Sequence, residues 1–276
     1  MRLASLLAAT SITVLACSSD DGAASITAPA PIAWSAPTSD VEIAVIANGA
    51  SERIVQAFFA TGRKTGVSCT SESVAGCEVR TCTKTDDATK GTVLDPGTVT
   101  VSSPTIGDAV PLAIDPSNGF GRIIQPGLFP AGEEVRVVAT GGSSFPAIDL
   151  KVKSPATFEP KSLGGCSQRT TADAPACDLA DTAPVATWSG GSRVIVVSLS
   201  PTLDLPTITS LHCAFDGATG KGQLPSAALA KLSGDQTYRV SVTGFEDPTT
   251  TATAPRTALT SLRIPAKGIA AVRLKK

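Results

Sequence analysis

Side chains that usually carry catalysis or ring stacking are scarce in this 276-residue sequence. It contains one histidine, one tyrosine, two tryptophans and eight phenylalanines. A histidine-based catalytic triad or a two-histidine metal site would have to be built around His212 alone. So few aromatic residues also make it hard to assemble the exposed rows of rings on which sugars or bases stack. The composition therefore disfavours the common hydrolases and gives a glycan-binding module no support.

The sequence also lacks an excess of either charge and a long apolar segment. It has 23 basic and 24 acidic residues, so it offers no basic field for nucleic acid or for anionic lipid. No segment reaches the roughly 20 apolar residues that a transmembrane helix requires. We therefore predict no nucleic-acid partner and a mature chain that does not span a membrane.

Sequence motifs of enzymes and of cofactor sites are missing as well. There is no G-x-S-x-G and no S-x-x-K, the two commonest signatures of a serine nucleophile. Residues 216–222 (DGATGKG) lack the spacing of a Walker A loop, and we interpret them as a turn in which Asp216-Gly217 supplies a positive φ. No C-x-x-C occurs, so zinc is disfavoured. We predict no catalytic residue, no cofactor and no metal site.

Three groups of polar residues nevertheless merit examination. Glu133 and Glu134 are adjacent carboxylates, but neighbours on a strand point to opposite faces and cannot act on one bond. The oxygen-rich loops at residues 115–119 and 86–87 could hold calcium, although turn propensity accounts for both. His212 is expected on the solvent-facing side of a strand whose other side carries Leu211, Cys213 and Phe215; the alternative is a catalytic base.

The N-terminal segment has the features of an export signal. Arg2 precedes an apolar run over residues 3–16, which is followed by Cys17. The run ends in Val-Leu-Ala-Cys, which resembles the lipobox of bacterial lipoproteins and implies lipidation of Cys17; the alternative is ordinary signal-peptide cleavage near Ala24. Ser18 after the cysteine would, by the same resemblance, favour the outer membrane. We expect residues 17–38, rich in Ala, Pro and Thr, to form a disordered tether.

Short alternating runs of Val, Ile and Thr, separated by Gly and Pro turns, indicate an all-β protein. Their spacing favours two tandem immunoglobulin-like or fibronectin-like β-sandwiches. We place the first at residues 39–153 and the second at residues 185–276, joined by a Pro-rich linker at residues 154–184 in which proteases should cut first. Residues 121–141 and 222–244 run parallel as an internal repeat, although a second match, of residues 82–91 with 213–222, implies a conflicting register. The only predicted helix covers residues 226–232.

The remaining cysteines are even in number, which in an exported chain indicates disulfides. Three precede the linker and three lie in it or after it, so either each half keeps one cysteine unpaired or one bridge joins the halves. The sequence leaves all connectivities open, including whether the first cysteine pairs with the second or the third. The six candidates are Cys69, Cys77, Cys82, Cys166, Cys177 and Cys213.

In its layout the chain resembles a group of bacterial surface lipoproteins. The shared features are the lipobox, a Cys-rich hairpin at residues 69–82, a Gly-Glu strand at residues 131–141, and a W-S-G-G strand followed by a C-x-F-x5-G segment at residues 213–220. The resemblance implies a location at the outer membrane or cell surface, and it carries no established activity. A periplasmic or secreted protein is the alternative location.

Together these features predict a non-catalytic adhesion, scaffold or protein-binding module, attached to a membrane by its lipid, with a protein partner of unknown identity. The alternatives are a secreted hydrolase or a glycan-binding protein that uses loop residues at one end of a sandwich.

Overall fold

The computed structural model describes a chain folded almost entirely into β-strands. It describes residues 28–32, 41–48, 52–62, 66–89, 91–126, 129–167, 176–180, 182–234, 236–245, 249–251, 257–263 and 271–274. The signal and lipidation predictions for residues 1–17 lie outside these ranges. No helix within the described ranges is long and apolar enough to cross a membrane.

The described residues form 21 strands. The first ten are β1 Val41–Asn48, β2 Glu52–Thr61, β3 Val67–Val74, β4 Cys77–Lys84, β5 Thr92–Val93, β6 Val99–Ser102, β7 Val110–Pro111, β8 Phe120–Pro126, β9 Glu134–Ala139 and β10 Ile148–Lys153. The next seven are β11 Phe158–Leu163, β12 Cys166–Ser167, β13 Cys177–Leu179, β14 Val185–Gly190, β15 Val194–Pro201, β16 Thr207–Asp216 and β17 Lys221–Gln223. The last four are β18 Thr237–Phe245, β19 Thr249–Thr251, β20 Thr257–Arg263 and β21 Val272–Leu274. A 3₁₀ turn at Gly217–Thr219 and the helix α1 at Ser226–Leu229 complete the described elements.

The strands form two β-sandwiches with the same strand order, which confirms the predicted fold class. In the first, the strands β1-β2-β8 face the sheet β7-β6-β9-β10. In the second, β11-β14-β17 face β16-β15-β18-β21. Matched in chain order, the two sets correspond strand by strand, and each has the Greek-key arrangement of immunoglobulin-like and fibronectin-like domains. The match aligns β8 and β9 with β17 and β18, as the repeat of residues 121–141 with 222–244 requires.

A buried tyrosine marks the second sandwich as immunoglobulin-like in detail. Tyr238 lies near the start of β18, is 1% exposed, and donates its hydroxyl hydrogen bond to the carbonyl oxygen of Ser233 at 3.1 Å. This is the geometry of a tyrosine corner, in which the hydroxyl bonds to backbone a few residues upstream. The helix α1 leads into this corner and begins where predicted, although it ends at Leu229 rather than at residue 232.

Each sandwich contributes a hairpin to a sheet of the other. The β3–β4 hairpin arises between β2 and β6 of the first sandwich, yet β4 pairs antiparallel with β16 of the second. The β19–β20 hairpin arises between β18 and β21 of the second, yet β20 pairs parallel with β1 of the first. These pairings, with that of β18 and β20, join one sheet of each sandwich into a single 13-stranded sheet.

The described residues depart from the predicted division of the chain in four places. The β3–β4 hairpin, assigned by sequence to residues 39–153, packs on the second sandwich, and β20, assigned to residues 185–276, pairs with the first. Residues 154–184, predicted as a linker, contain β11, whose Phe158 and Leu163 are buried in the second core. Residues 28–32, predicted as part of the tether, contact the second sandwich, because Ile32 donates to the carbonyl of Ala214 and Gln223 donates to that of Pro29. Pairings across such distances leave no trace in local periodicity.

Candidate binding surface on the hairpin-extended sheet

The β3–β4 hairpin is a regular two-residue hairpin fastened by two disulfides. Its turn residues Ala75 and Gly76 both have positive φ, at 49° and 83°, which matches a type I′ turn and the twist of the flanking strands. The Cys69–Cys82 disulfide joins the two strands of the hairpin, and Cys77–Cys213 joins β4 to β16. The hairpin is therefore held both within itself and to the second sandwich.

The outer strand of this hairpin, β3, is the end of the large sheet and is exposed along its length. All its residues from Val67 to Ser73 are exposed, and Val74 is partly buried against the core. Within the described part of the chain, β3 pairs with β4 and with no other strand. One side of its backbone therefore faces solvent.

The pairing register shows which backbone groups point outward. Cys69 and Cys82 are opposite each other with their Cα atoms 4.1 Å apart, the close spacing of a non-hydrogen-bonded antiparallel pair. Because pairs alternate along the ladder, the backbone N–H and C=O groups of Cys69, Ser71 and Ser73 point away from β4. The turn agrees, since Val74 and Cys77 flank a two-residue loop and must be a hydrogen-bonded pair. The edge of β3 thus presents free donors and acceptors at every second residue.

Polar side chains continue from β3 across the outer face of the sheet. Ser71 donates a hydrogen bond to Glu78 at 2.7 Å, and Arg80 donates to the same carboxylate oxygen from Nε at 3.1 Å and from Nη2 at 2.8 Å. Partial burial raises the pKa of Glu78, but the hydrogen bonds from Ser71 and Arg80 and the positive charge of Arg80 outweigh it and hold that pKa below its usual value. The outer face of the sheet beside β3 therefore carries the ion pair Glu78–Arg80, in which the two charges compensate each other.

His212 lies next to this pair in a network of hydroxyl groups. Its Nδ1 is 2.9 Å from the Ser198 hydroxyl and its Nε2 is 3.0 Å from the Ser210 hydroxyl. Burial and then the charge of Arg80 lower the pKa of His212, and the carboxylate of Glu78 opposes them. The neutral imidazole is therefore favoured. As predicted, His212 lies on the opposite side of β16 from Leu211, Cys213 and Phe215, which are fully buried, although it is half-buried and not fully exposed to solvent.

The arrangement around His212 does not match that of a serine hydrolase. In such an enzyme a carboxylate orients the imidazole through Nδ1 while Nε2 takes the proton of an accessible serine. Here a serine occupies Nδ1, and Ser210 at Nε2 is only 7% exposed and so inaccessible to a substrate. Ser210 also donates to the carbonyl of Arg80 at 3.4 Å. The network can therefore fix the ring and join the strands β4, β15 and β16, which is a structural role.

The other polar groups singled out in the sequence are used in hydrogen bonds and ion pairs with neighbouring residues of the chain. Both carboxylate oxygens of Asp115 accept hydrogen bonds from the loop that follows, at 2.8 Å from the Ser117 N–H and 2.8 Å from Asn118 Nδ2. These bonds hold the pKa of Asp115 below its usual value. Glu133 accepts from Thr105, whereas Glu134 pairs with Lys151 at 2.8 Å, so the two carboxylates do not converge.

The remaining loops give the same result. Asp87 accepts from the hydroxyl of Thr85. In the loop at residues 216–222, Asp216 caps the 3₁₀ turn by accepting from the Ala218 N–H at 3.0 Å. The loop is a turn as predicted, but the positive φ lies at Gly220, at 66°, and not at the Asp-Gly pair. Among the described residues, no group of three His, Cys, Asp or Glu side chains is arranged to hold a metal ion.

All six cysteines named in the sequence analysis form disulfides. Cys166–Cys177 joins β12 to β13. Each half of the chain has three cysteines, so all six can pair only if one bridge joins the halves. Cys77–Cys213 is that bridge. Sequence spacing left Cys69 a choice between Cys77 and Cys82. The hairpin turn decides it, because Cys77 begins β4 and faces the core whereas Cys82 lies on the outer face opposite Cys69.

The tryptophan that the structure describes is too buried to stack on a ligand, whereas Phe120 in β8 is 38% exposed. Trp188 is 4% exposed, packs beside Phe215 with ring centroids 6.0 Å apart, and donates to the carbonyl of Gly217 at 2.9 Å. Trp34, the other tryptophan, lies outside the described residues. The exposed residues of β3 are mostly polar, with Val67 as the apolar exception. The distinctive feature of this surface is the free edge of β3, which the sequence alone did not reveal.

Comparisons with known proteins give no family. No family model and no curated protein sequence matches the chain. Among solved structures, the chain is similar to the FN1–FN3 domains of chicken CNTN1, with 13% sequence identity and a TM-score of 0.20. The likeness covers 75% of this chain and 66% of that one. At this level of similarity the fold class rests on the strand order described above.

Proposed function

We propose that this protein is an exported, lipid-anchored, non-catalytic module that binds a partner protein by adding a strand of the partner to the edge of β3. The observation that carries the proposal is that β3 is an eight-residue strand exposed along nearly its whole length at the end of a sheet. An exposed edge of this kind is a template for backbone pairing with another chain.

The protection found on several other described edges supports this choice of site. Natural proteins block sheet edges with short strands, prolines, lysines, bulges or covering segments. Here β7 is two residues long and contains a proline, β10 carries Lys151 and Lys153, and β8 ends in Pro126. The edge of β17 is covered where Gln223 donates to Pro29. By contrast β3 has no proline, no lysine and no bulge, and its one charged residue, Glu72, is paired with Lys231 at 3.0 Å.

The rigidity of the edge supports binding in the same way. A strand that must become ordered on binding spends part of its interaction energy on lost conformational entropy. The disulfides Cys69–Cys82 and Cys77–Cys213 hold β3 and β4 in their paired conformation before a partner arrives. A preformed edge therefore favours association.

Export and anchoring are part of the proposal and are supported by the chemistry of the chain. Three disulfides among the described residues are typical of proteins from oxidising compartments. The apolar run at residues 3–16 followed by Cys17 supports lipidation at that cysteine. Labelled fatty acid should enter the wild-type protein and not Cys17→Ser, and equal labelling of both would contradict the anchor.

Partner binding is tested with two substitutions at one residue. Ser71→Pro removes an outward N–H without removing a hydrogen bond to β4, whereas Ser71→Ala keeps the N–H and removes only the hydroxyl that contacts Glu78. A photo-crosslinker at Thr70, in intact cells, should capture the same protein from wild type and from Ser71→Ala, and lose it in Ser71→Pro. Equal capture by all three would show that the backbone edge is not the binding site.

A further inference from the structure

We infer that the strand that completes β3 is β3 of a second copy of this chain, so that the protein forms a two-fold symmetric dimer with one continuous sheet. The inference rests on the proposed function, because it names the partner of the same edge. It starts from the outward backbone groups of Cys69, Ser71 and Ser73, which are the groups that must pair with a neighbouring strand.

Symmetry limits the possible registers to a few. Two copies of β3 related by a two-fold axis are antiparallel, and outward residues must face outward residues of the other copy. Two registers pair nearly the whole strand. In the first, Cys69 faces Ser71 of the second copy and Thr70 faces Thr70. In the second, Ser71 faces Ser71 and Cys69 faces Ser73.

The charges on β3 are compatible with its own copy in both registers. Glu72 is the one charged residue of the strand, and it faces Ser68 of the second copy in the first register and Thr70 in the second. Like charges placed directly opposite each other would destabilise the pair, and neither register creates such a contact, although the second makes the two Glu72 residues diagonal neighbours. Lys231 already neutralises Glu72 at 3.0 Å within each copy. A partner strand rich in acidic or basic residues would find no unpaired opposite charge on β3.

The charges behind the edge do not oppose the dimer either. Arg80 and Glu78 lie on β4, one strand back from the edge, and compensate each other at 2.8 Å. In the dimer two β3 strands would separate Arg80 from its symmetry mate, about 14 Å at the usual strand spacing, which exceeds the screening length at physiological salt. The hydroxyl side chains of Ser68, Thr70, Ser71 and Ser73 on the paired strands can bond across the interface or to water.

The test is the oligomeric state of the full exported chain over a range of concentrations. In sedimentation equilibrium, the wild type and Ser71→Ala should show a concentration-dependent dimer. Ser71→Pro should weaken that dimer about ten-fold or more, because each interface loses a backbone donor from both copies. Ser73→Pro, with Ser73→Ala as its control, repeats the test at a second outward residue. Intact disulfides and an unchanged circular dichroism spectrum show that the proline variants are folded.

A second measurement locates the contact. In hydrogen exchange, the amides of Cys69, Ser71 and Ser73 should become protected as the concentration rises, while the amide of Ala75 in the turn should not. Dimers that persist equally in Ser71→Pro and Ser73→Pro would overturn the inference.

The outcomes also separate this inference from the proposed function. A wild type that remains a monomer up to about 0.1 mM, which places any dimer far weaker than a micromolar complex, overturns the dimer. If that monomer still captures a different protein in cells, and Ser71→Pro loses it, the edge binds a partner other than itself and the proposed function stands. If neither dimer nor proline-sensitive capture occurs, both are wrong.

Discussion

The two sandwiches share a strand order but not the origin of their cores. Among the described side chains, every buried residue of the first core comes from residues 41–152, between β1 and β10. The second core takes Cys77 and Val79 from the hairpin that arises within the first sandwich. In return, β20 pairs parallel with β1 of the first sandwich. The second sandwich therefore takes part of its interior from a hairpin that arises in the first, whereas the described residues of the first core all lie in one continuous segment of the chain.

The disulfides follow the same asymmetry. All three bridges among the described residues fasten elements of the second sandwich, including the hairpin that it receives. In the first sandwich, hydrogen bonds to carboxylates tie the loops together; Asp95, for example, accepts from the Gly97 N–H at 2.9 Å and from the Ser143 N–H at 3.1 Å. Of these three bridges, Cys77–Cys213 joins segments 136 residues apart, and it is therefore the one that most restricts the unfolded chain.

The largest effect should come from separating the two sandwiches. Residues 183–276 expressed alone should be unfolded, because they lack Phe158, Leu163, Cys77 and Val79 of their core. Residues 39–153 expressed alone should keep β-structure, because they contain all the described residues of the first core. Circular dichroism and thermal melting of the two fragments measure this difference. A cooperative melt for residues 183–276 would show that the borrowed hairpin is dispensable.

The sequence analysis reached the fold class and missed this exchange for a physical reason. Alternation of apolar and polar residues reports which face of a strand is buried, and it located the strands around Val41, Arg193 and Thr209 correctly. It does not report which strand lies alongside. The Cys69–Cys82 hairpin looks the same whether it packs on the sandwich that precedes it in the chain or on another.

The same limit applies to the candidate surface. The sequence showed that Leu211, Cys213 and Phe215 face the core and that His212 does not, since this follows from a period of two. It could not show that Ser198 and Ser210 reach the ring, or that the outer edge of β3 is free. Both depend on register and on strand order, which only the folded chain displays.

Removing single disulfides should rank the attachments of the borrowed hairpin. Cys77 and Cys213 are 136 residues apart and Cys69 and Cys82 are 13 apart. The chain-entropy relation gives a loss of about 5 kcal/mol for Cys77→Ser with Cys213→Ser, and about 3 kcal/mol for Cys69→Ser with Cys82→Ser. Urea denaturation of both double variants measures the two losses. Equal losses would indicate that the hairpin stays attached to β16 without its covalent bond.

A smaller effect should come from the tyrosine corner, which the second sandwich has and which stabilises the turn before β18. Tyr238→Phe removes the hydrogen bond to the carbonyl of Ser233 and leaves the buried ring in place. The free energy of unfolding should fall by about 1 kcal/mol, the usual value for one such bond. Burial raises the pKa of Tyr238, so its hydroxyl remains a donor at neutral pH. An unchanged urea midpoint would show that the corner does not stabilise this sandwich.

The smallest effect should be a pH dependence confined to the second sandwich. Burial and then the charge of Arg80 lower the pKa of His212 in the folded protein, and Glu78 opposes them. The unfolded chain, with an ordinary histidine pKa of about 6.5, therefore binds a proton before the folded protein does as the pH falls. The stability that His212 contributes is complete above that pH and is lost below it, as the pH falls toward the lowered pKa.

His212→Gln tests this because glutamine keeps polar atoms near Ser198 and Ser210 but does not titrate. Between about pH 7.5 and about pH 5.5, the urea midpoint of the wild type should fall more than that of His212→Gln. The pKa of Glu78 is lowered, so its protonation occurs below this range and does not contribute to the difference. The control is Asp115→Asn, a change in the first sandwich, which should follow the wild type over the same range. If His212→Gln lost stability with pH as steeply as the wild type, another group would be responsible, and the network around His212 would not distinguish the two sandwiches.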